Sequence, residues 1–155
     1  MESLFTAMES TAIAEYLRVS RWAYALVNTT HILGIALLVG SIIPFNLHIL
    51  GVWRNFPRLM LARVLLPVAV TGLLLAVLAG SLLFSVRALE YSQIIFFQIK
   101  IALVVIGTVS ALLLHRAYGL SLEQATQTRL RAHALLSILC WLGALVCGRL
   151  IAFVS

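Results

Sequence analysis

The chain predicts an all-α integral membrane protein: a transmembrane bundle of four helices, preceded by an amphipathic helix lying at the interface. Three observations carry that reading. Charged residues make up 10% of the chain and hydrophobic residues 63%, with a mean hydropathy of +1.09; a soluble domain carries about 25% charged residues. Apolar runs long enough to cross a bilayer recur four times, the first two without a charge and the other two with one basic residue each, where one crossing needs ~20 apolar residues. The basic residues collect at the ends of those runs, as topology signals do. The 155 residues read as a single transmembrane domain.

Residues 1–20 come first. In "SLFTAMESTAIAEYLRVSRW", Leu4, Phe5, Met8, Ala12 and Tyr16 fall at helical spacing, which predicts an interfacial amphipathic helix. The first apolar segment, longer than a signal-peptide h-region and preceded by the acidic stretch Met1–Glu15, is unlike a cleaved signal peptide. Arg18, Arg21, Trp22 and Tyr24 anchor the start of the first span. That span covers about 22–50, within an uncharged stretch from Trp22 to Trp53, and Pro44 is placed to kink or end it. The second covers about 64–86, with Pro67 in its first turns and Gly72, Ala76 and Gly80 at intervals of four. A small-residue stripe of this kind lets helices approach closely, or leaves room for a flat ligand. The third covers about 94–115 and is interrupted only by Lys100; the fourth covers about 132–153, with Arg149 near its end. The connections "RNFPRLMLAR", "VRALEYSQ" and "AYGLSLEQATQTRLR" are polar enough to be loops.

Four spans put both termini and the second loop on one side. Arg18, Arg21, Arg87 and Arg149 lie there; Arg54, Arg58, Arg63, Arg116, Arg129 and Arg131 lie on the other. The bias favours cytoplasmic first and third loops and periplasmic termini, in a multi-pass protein of the bacterial inner membrane. The partners this implies are the bilayer and a homo-oligomer or larger membrane complex. With no basic patch interleaved with aromatics, no nucleic-acid partner is expected. Cys140 and Cys147 stand seven apart in one apolar segment and imply no disulfide framework.

Residue number gives depth, at ~1.5 Å per residue of helix. His31 lies ~7 Å from the midplane on the terminal side, and Lys100 on another helix shares that level at ~6–7 Å. The other three of the four histidines, His48, His115 and His133, lie ~14–18 Å out on the opposite side. A lysine off-centre can snorkel, and a buried histidine can be satisfied by Asn28 or by a facing hydroxyl. An ionisable residue at membrane depth is nonetheless a functional hypothesis by default, and imidazole is a common axial ligand of haem iron. Gly34, one turn after His31, reads as clearance for a porphyrin face. Arg149 is placed to cap a propionate or to meet a neighbouring subunit. The acids, Glu2, Glu9, Glu15, Glu90 and Glu123, all fall outside the spans, so no intramembrane carboxylate relay is expected. Three methionines, none at intramembrane helical spacing, argue against a copper(I) path.

The stretches "LVNTTHILGIALLVGSIIPFNLHILG", "LARVLLPVAVTGLLLAVLAGSLLF", "FFQIKIALVVIGTVSALLLHR" and "WLGALVCGRLIAF" resemble an uncharacterised bacterial four-helix membrane family of unknown function. More distantly, His31, Pro67, Gly80 and Lys100 match the layout of the HemJ-like protoporphyrinogen oxidases and the CopD-like haem and metal membrane domains. That resemblance implies haem b, with the histidine and lysine functional. The chain departs from the HemJ-like layout in its extra N-terminal segment, and in "GSIIPFNLH", where that layout carries a basic residue after the glycine.

The functional expectation is therefore a b-type haem-binding membrane protein working in electron transfer or as a membrane oxidoreductase. His31, Lys100, His115 and Arg149 are the candidate cofactor-binding residues. His31, His115, His48 and His133 are the candidate metal ligands, the last three for a second haem or a metal. The alternatives are a non-catalytic structural subunit of a larger membrane complex and a CopD-like metal-transport protein.

Overall fold

A computed structural model describes residues 2–53, 55–119, 122 and 125–154, without the side chains of Glu2 and Leu4. Arg54 and Glu123, counted above, lie outside the described residues. Those residues form helices α1 (Glu2–Glu9), α2 (Ala12–Val19), α3 (Arg21–Leu50), α4 (Arg58–Val86), α5 (Ala88–Gln93), α6 (Ile95–Tyr118) and α7 (Gln127–Val154), with no strand among them. Four of these, α3, α4, α6 and α7, are long and apolar enough to cross a membrane, which supports a multi-pass membrane protein.

The first twenty residues form two helices rather than one. Hydroxyls at the break compete with the helical backbone: Ser10 donates to Ala7 O, and Thr11 Oγ1 donates to Met8 O and accepts from Ala14 N as the N-cap of α2. Ala14 and Leu17 are the buried residues of α2, which packs against α3 and α4. Ile13, Tyr16 and Val19 stay exposed. The α1 helix packs against α4 and α5. Its Glu9 carboxylate accepts from the Leu89 amide at 2.9 Å, supplying an orphan donor at the start of α5.

Each long helix has a legible start or stop. Ser20 caps α3 by accepting from Ala23 N. Gly51, at φ 112°, ends it, with Gly51 N–H donating to His48 O and Val52 N–H to Leu47 O. Pro57, in extended conformation, sits at the N-cap of α4. The stretch from Arg58 to Arg63, expected as loop, is therefore helix, because nothing after Pro57 stops it. The same holds for Ala88–Gln93 and for the residues from Gln127 to Arg131. Pro44 and Pro67 stay inside continuous helices rather than ending them.

Packing runs in the order α4–α3–α7–α6. Among the described residues α4 and α6, the outer pair, make no backbone-level contact. They are bridged instead by side chains: Phe84 and Phe97 stack at 5.0 Å between ring centroids, flanked by Phe5 edge-on and by Tyr91. At the other end Phe45, Ile49, Ala62, Leu114, Leu122, Leu130 and Ala134 form the larger apolar cluster. Only 11% of the most apolar stretch of α6 is fully buried, and Ile99, Val105, Ile106, Val109, Leu112 and Leu113 are exposed.

Candidate functional site

The α3–α4 contact positions His31. Gly34 and Gly72 face each other so closely that a Cβ on Gly34 would lie 2.5 Å from Ala76 N and 2.8 Å from Gly72 O. The space beside Gly34, expected to clear a porphyrin, is filled by the backbone of α4. The stripe of Gly72, Ala76 and Gly80 thus serves helix packing. That approach carries His31 onto α4, where its Nδ1 lies 2.8 Å from the Ala76 carbonyl. A carbonyl only accepts, so Nδ1 bears the proton and Nε2 keeps its lone pair. The partner is thus a backbone carbonyl, where the sequence offered Asn28 or a facing hydroxyl. The imidazole lies over Gly80: a Cβ there would be 2.9 Å from Cε1.

Lys100 repeats this device on the other helix pair. A Cβ on Gly148 of α7 would lie 3.4 Å from Lys100 Nζ, with the lysine stem beside it. The ammonium is within electrostatic reach of His31 and of the Cys147 thiol. Among the described residues Lys100 has no ion pair; the one salt bridge there is Arg87–Glu90 at 3.3 Å. Two basic groups therefore rest on glycine floors of neighbouring helices, one turn inward of the Phe84–Phe97 stack. Phe84 follows Gly80 by four residues, and Phe97 precedes Lys100 by three.

The other expected residues lie elsewhere. Arg149 is on the exposed face of α7, with its guanidinium 4.9 Å from the Phe153 ring centroid; it is Gly148 that meets Lys100. His115 and His133 line a cavity of about 30 Å³ with Asn46, Ser110 and Ser137. There Asn46 Nδ2 donates to Ser137 Oγ at 2.9 Å, and His133 Nδ1 is 2.9 Å from Ser110 Oγ. His115 Nδ1 donates to Ala111 O, and its buried Nε2 has no partner. His48 does not join them. It lines a separate cavity of about 700 Å³ with Arg58, Gln127 and Arg131. Among the described residues no group of three or more His, Cys, Asp or Glu side chains is placed to hold a metal ion. Both cysteines are free.

The larger cavity thus sits at the end of the bundle opposite His31. At the His31 end an imidazole oriented by a backbone carbonyl shares its level with a lysine from another helix. Sequence reasoning passed over Gly148, the Asn46–Ser137 pair and the wall formed by His48 and Arg58. Comparison with protein-family models, with curated proteins and with solved structures finds no match.

Proposed function

We propose that this chain is a multi-pass membrane protein that binds one b-type haem at the His31–Lys100 level and works in electron transfer. The observation that supports this most is the His31 Nδ1–Ala76 carbonyl bond. Histidines that ligate metals commonly donate their other ring N–H to a carbonyl or carboxylate, which fixes the tautomer and the ring orientation. His31 has that arrangement, and Lys100 supplies an unpaired positive charge suited to a haem propionate. The residues therefore fit the group: His31 would be its axial ligand and Lys100 its electrostatic partner. Bound there, the haem would supply a one-electron centre. Toward the termini the chain contributes the Phe84–Phe97 stack.

In this reading the apolar outer faces of α6 and α7 meet lipid, and α1–α2 lies at the interface with Ile13, Tyr16, Val19 and Trp22 turned to the headgroups. The charge bias puts both termini on the periplasmic side of a bacterial inner membrane. A second haem is not part of the proposal. His115 and His133 share room for about one water molecule, and His48 is walled apart from them.

The test is spectroscopic. Full-length protein, purified after expression with haem in supply, should show a Soret band that shifts on dithionite reduction. His31→Ala should lose the band while retaining helical circular dichroism. A colourless wild-type preparation would refute the haem reading and favour a structural subunit of a larger membrane complex. Copper bound in its place would favour a metal-transport role.

A further inference from the structure

The cavity of about 700 Å³ at the far end of the bundle is built for an anion. Its size falls in the ~300–1,000 Å³ range of small-molecule sites. His48, Phe56, Pro57, Arg58, Gln127 and Arg131 line it, and among the described residues no carboxylate does. His48 is 9% exposed and its buried Nδ1 has no hydrogen-bond partner; the buried Nε of Arg58 has none either. An arginine Nε–H can only donate, so what is missing at Arg58 is an acceptor. The guanidinium is already steadied from one side, since Nη1 donates to the Leu122 carbonyl at 3.4 Å.

Backbone polarity acts in the same direction. The cavity wall contains the start of α4 at Pro57, Arg58 and Leu59 and the first residue of α7, Gln127. Pro57 gives α4 no side-chain cap, so first-turn amides there are open to an external acceptor, and a helix N-terminus favours negative charge. The opposing end of α3 has its carbonyls occupied. Leu47 and His48 accept from the turn at Gly51 and Val52, and Ile49 accepts from Gln127 Nε2 at 3.2 Å.

We propose that this cavity binds a phosphoryl group, with Arg58 and Arg131 as its charged contacts and His48 as a further donor. The group belongs either to an anionic phospholipid headgroup or to free phosphate. Basic pockets between membrane helices on the cytoplasmic side take phospholipid headgroups, and the charge bias puts this end on that side. The site does not depend on the haem reading.

Thermal unfolding of the full chain in detergent, followed by circular dichroism, tests it. Phosphatidylglycerol, phosphatidylcholine and inorganic phosphate are each titrated in. Saturable stabilisation by phosphatidylglycerol alone supports a lipid site; the same response to inorganic phosphate supports a free-phosphate site. In either case Arg58→Gln and Arg131→Gln should weaken the response about tenfold, and Arg116→Gln, at the same end but outside the cavity, should not. Arg131 is exposed at the rim, so its variant preserves the test if Arg58→Gln does not fold. No saturable response to either anion, or an equal loss in all three variants, overturns the proposal.

Discussion

Gly34→Ala is the sharpest single perturbation of the α3–α4 interface. A Cβ there would stand 2.5 Å from Ala76 N, a backbone atom with no rotamer to change, and ordinary contact begins at 3.4 Å. The helices must part locally by about 0.9 Å, since packed interiors have no slack to absorb it. The same separation stretches the His31 Nδ1–Ala76 O distance from 2.8 Å to about 3.7 Å, outside hydrogen-bonding range. Overpacking of this kind costs ~1–3 kcal/mol. Gly40→Ala is the control: nothing lies within 4 Å of a Cβ at that position, so the substitution should be neutral or gain ~0.5–1 kcal/mol from helix propensity. Reversible unfolding of the purified protein, monitored by circular dichroism, measures both. On the haem reading, Gly34→Ala should also weaken the Soret band at fixed haem concentration. If Gly34→Ala unfolds within ~0.5 kcal/mol of the wild type, as an unconstrained surface change would, the account of this interface is wrong.

Three further outcomes are expected. Ser137→Ala should destabilise by ~1 kcal/mol by leaving Asn46 Nδ2 without its acceptor, between the ~0.6 kcal/mol typical of hydrogen bonds between membrane helices and the ~1–3 kcal/mol of a buried orphan. Adding Asn46→Leu should recover part of that loss in the same unfolding assay, and strictly additive losses would dissolve the pair. Tyr91, in α5, has its phenol pushed up from the ordinary value by burial and then by the charge of, and hydrogen bond with, Tyr24, against a smaller opposing pull from Arg87. The folded state therefore holds this proton more tightly than the unfolded chain, so its contribution is intact below pH ~10 and fades as the pH rises through the folded value. Tyrosinate absorbance should show a late-titrating component that Tyr91→Phe removes. Finally, Lys100→Met should lower the midpoint potential of a haem at His31, because the lost positive charge had favoured the electron-rich state. A potentiometric titration with no shift would separate Lys100 from the redox centre.

The sequence makes the four long helices legible because each is written twice, as a long apolar run with at most one charged residue within the span and as basic residues toward its ends. Their lengths are less legible. Hydropathy locates the stretch that avoids water, whereas a helix ends where its hydrogen bonding is interrupted. Pro57 and Gly51 are visible interrupters; Arg58 to Arg63 contains none, and helix runs through it despite its charge. The N-terminal break was hidden for the opposite reason. Periodicity across residues 4–16 looks continuous, but the Ser10 and Thr11 hydroxyls capture backbone groups and divide it.

The candidate site shows how far residue number alone can reach. Counting along helices gives depth, so His31 and Lys100 could be put on one level before any contact was known. Counting within one helix cannot say which neighbour it meets, and azimuth decides chemistry. His48 and His115 share a depth with His133, yet His48 turns to the cavity of Arg58 and Arg131 while the other two turn to that of Ser110 and Ser137. Gly34 and Gly80 looked alike as absent side chains, but one is filled by the backbone of α4 and the other carries an imidazole. The orientation of His31 then follows from its neighbours. Close approach at Gly34 and Gly72 brings Ala76 within reach, the carbonyl fixes the tautomer, and Gly80 accepts the ring. The ligand geometry proposed for His31 is therefore a property of the whole α3–α4 interface. A substitution one turn of helix from Ala76 on α4, such as Gly72→Ala, should disturb it as surely as one beside it.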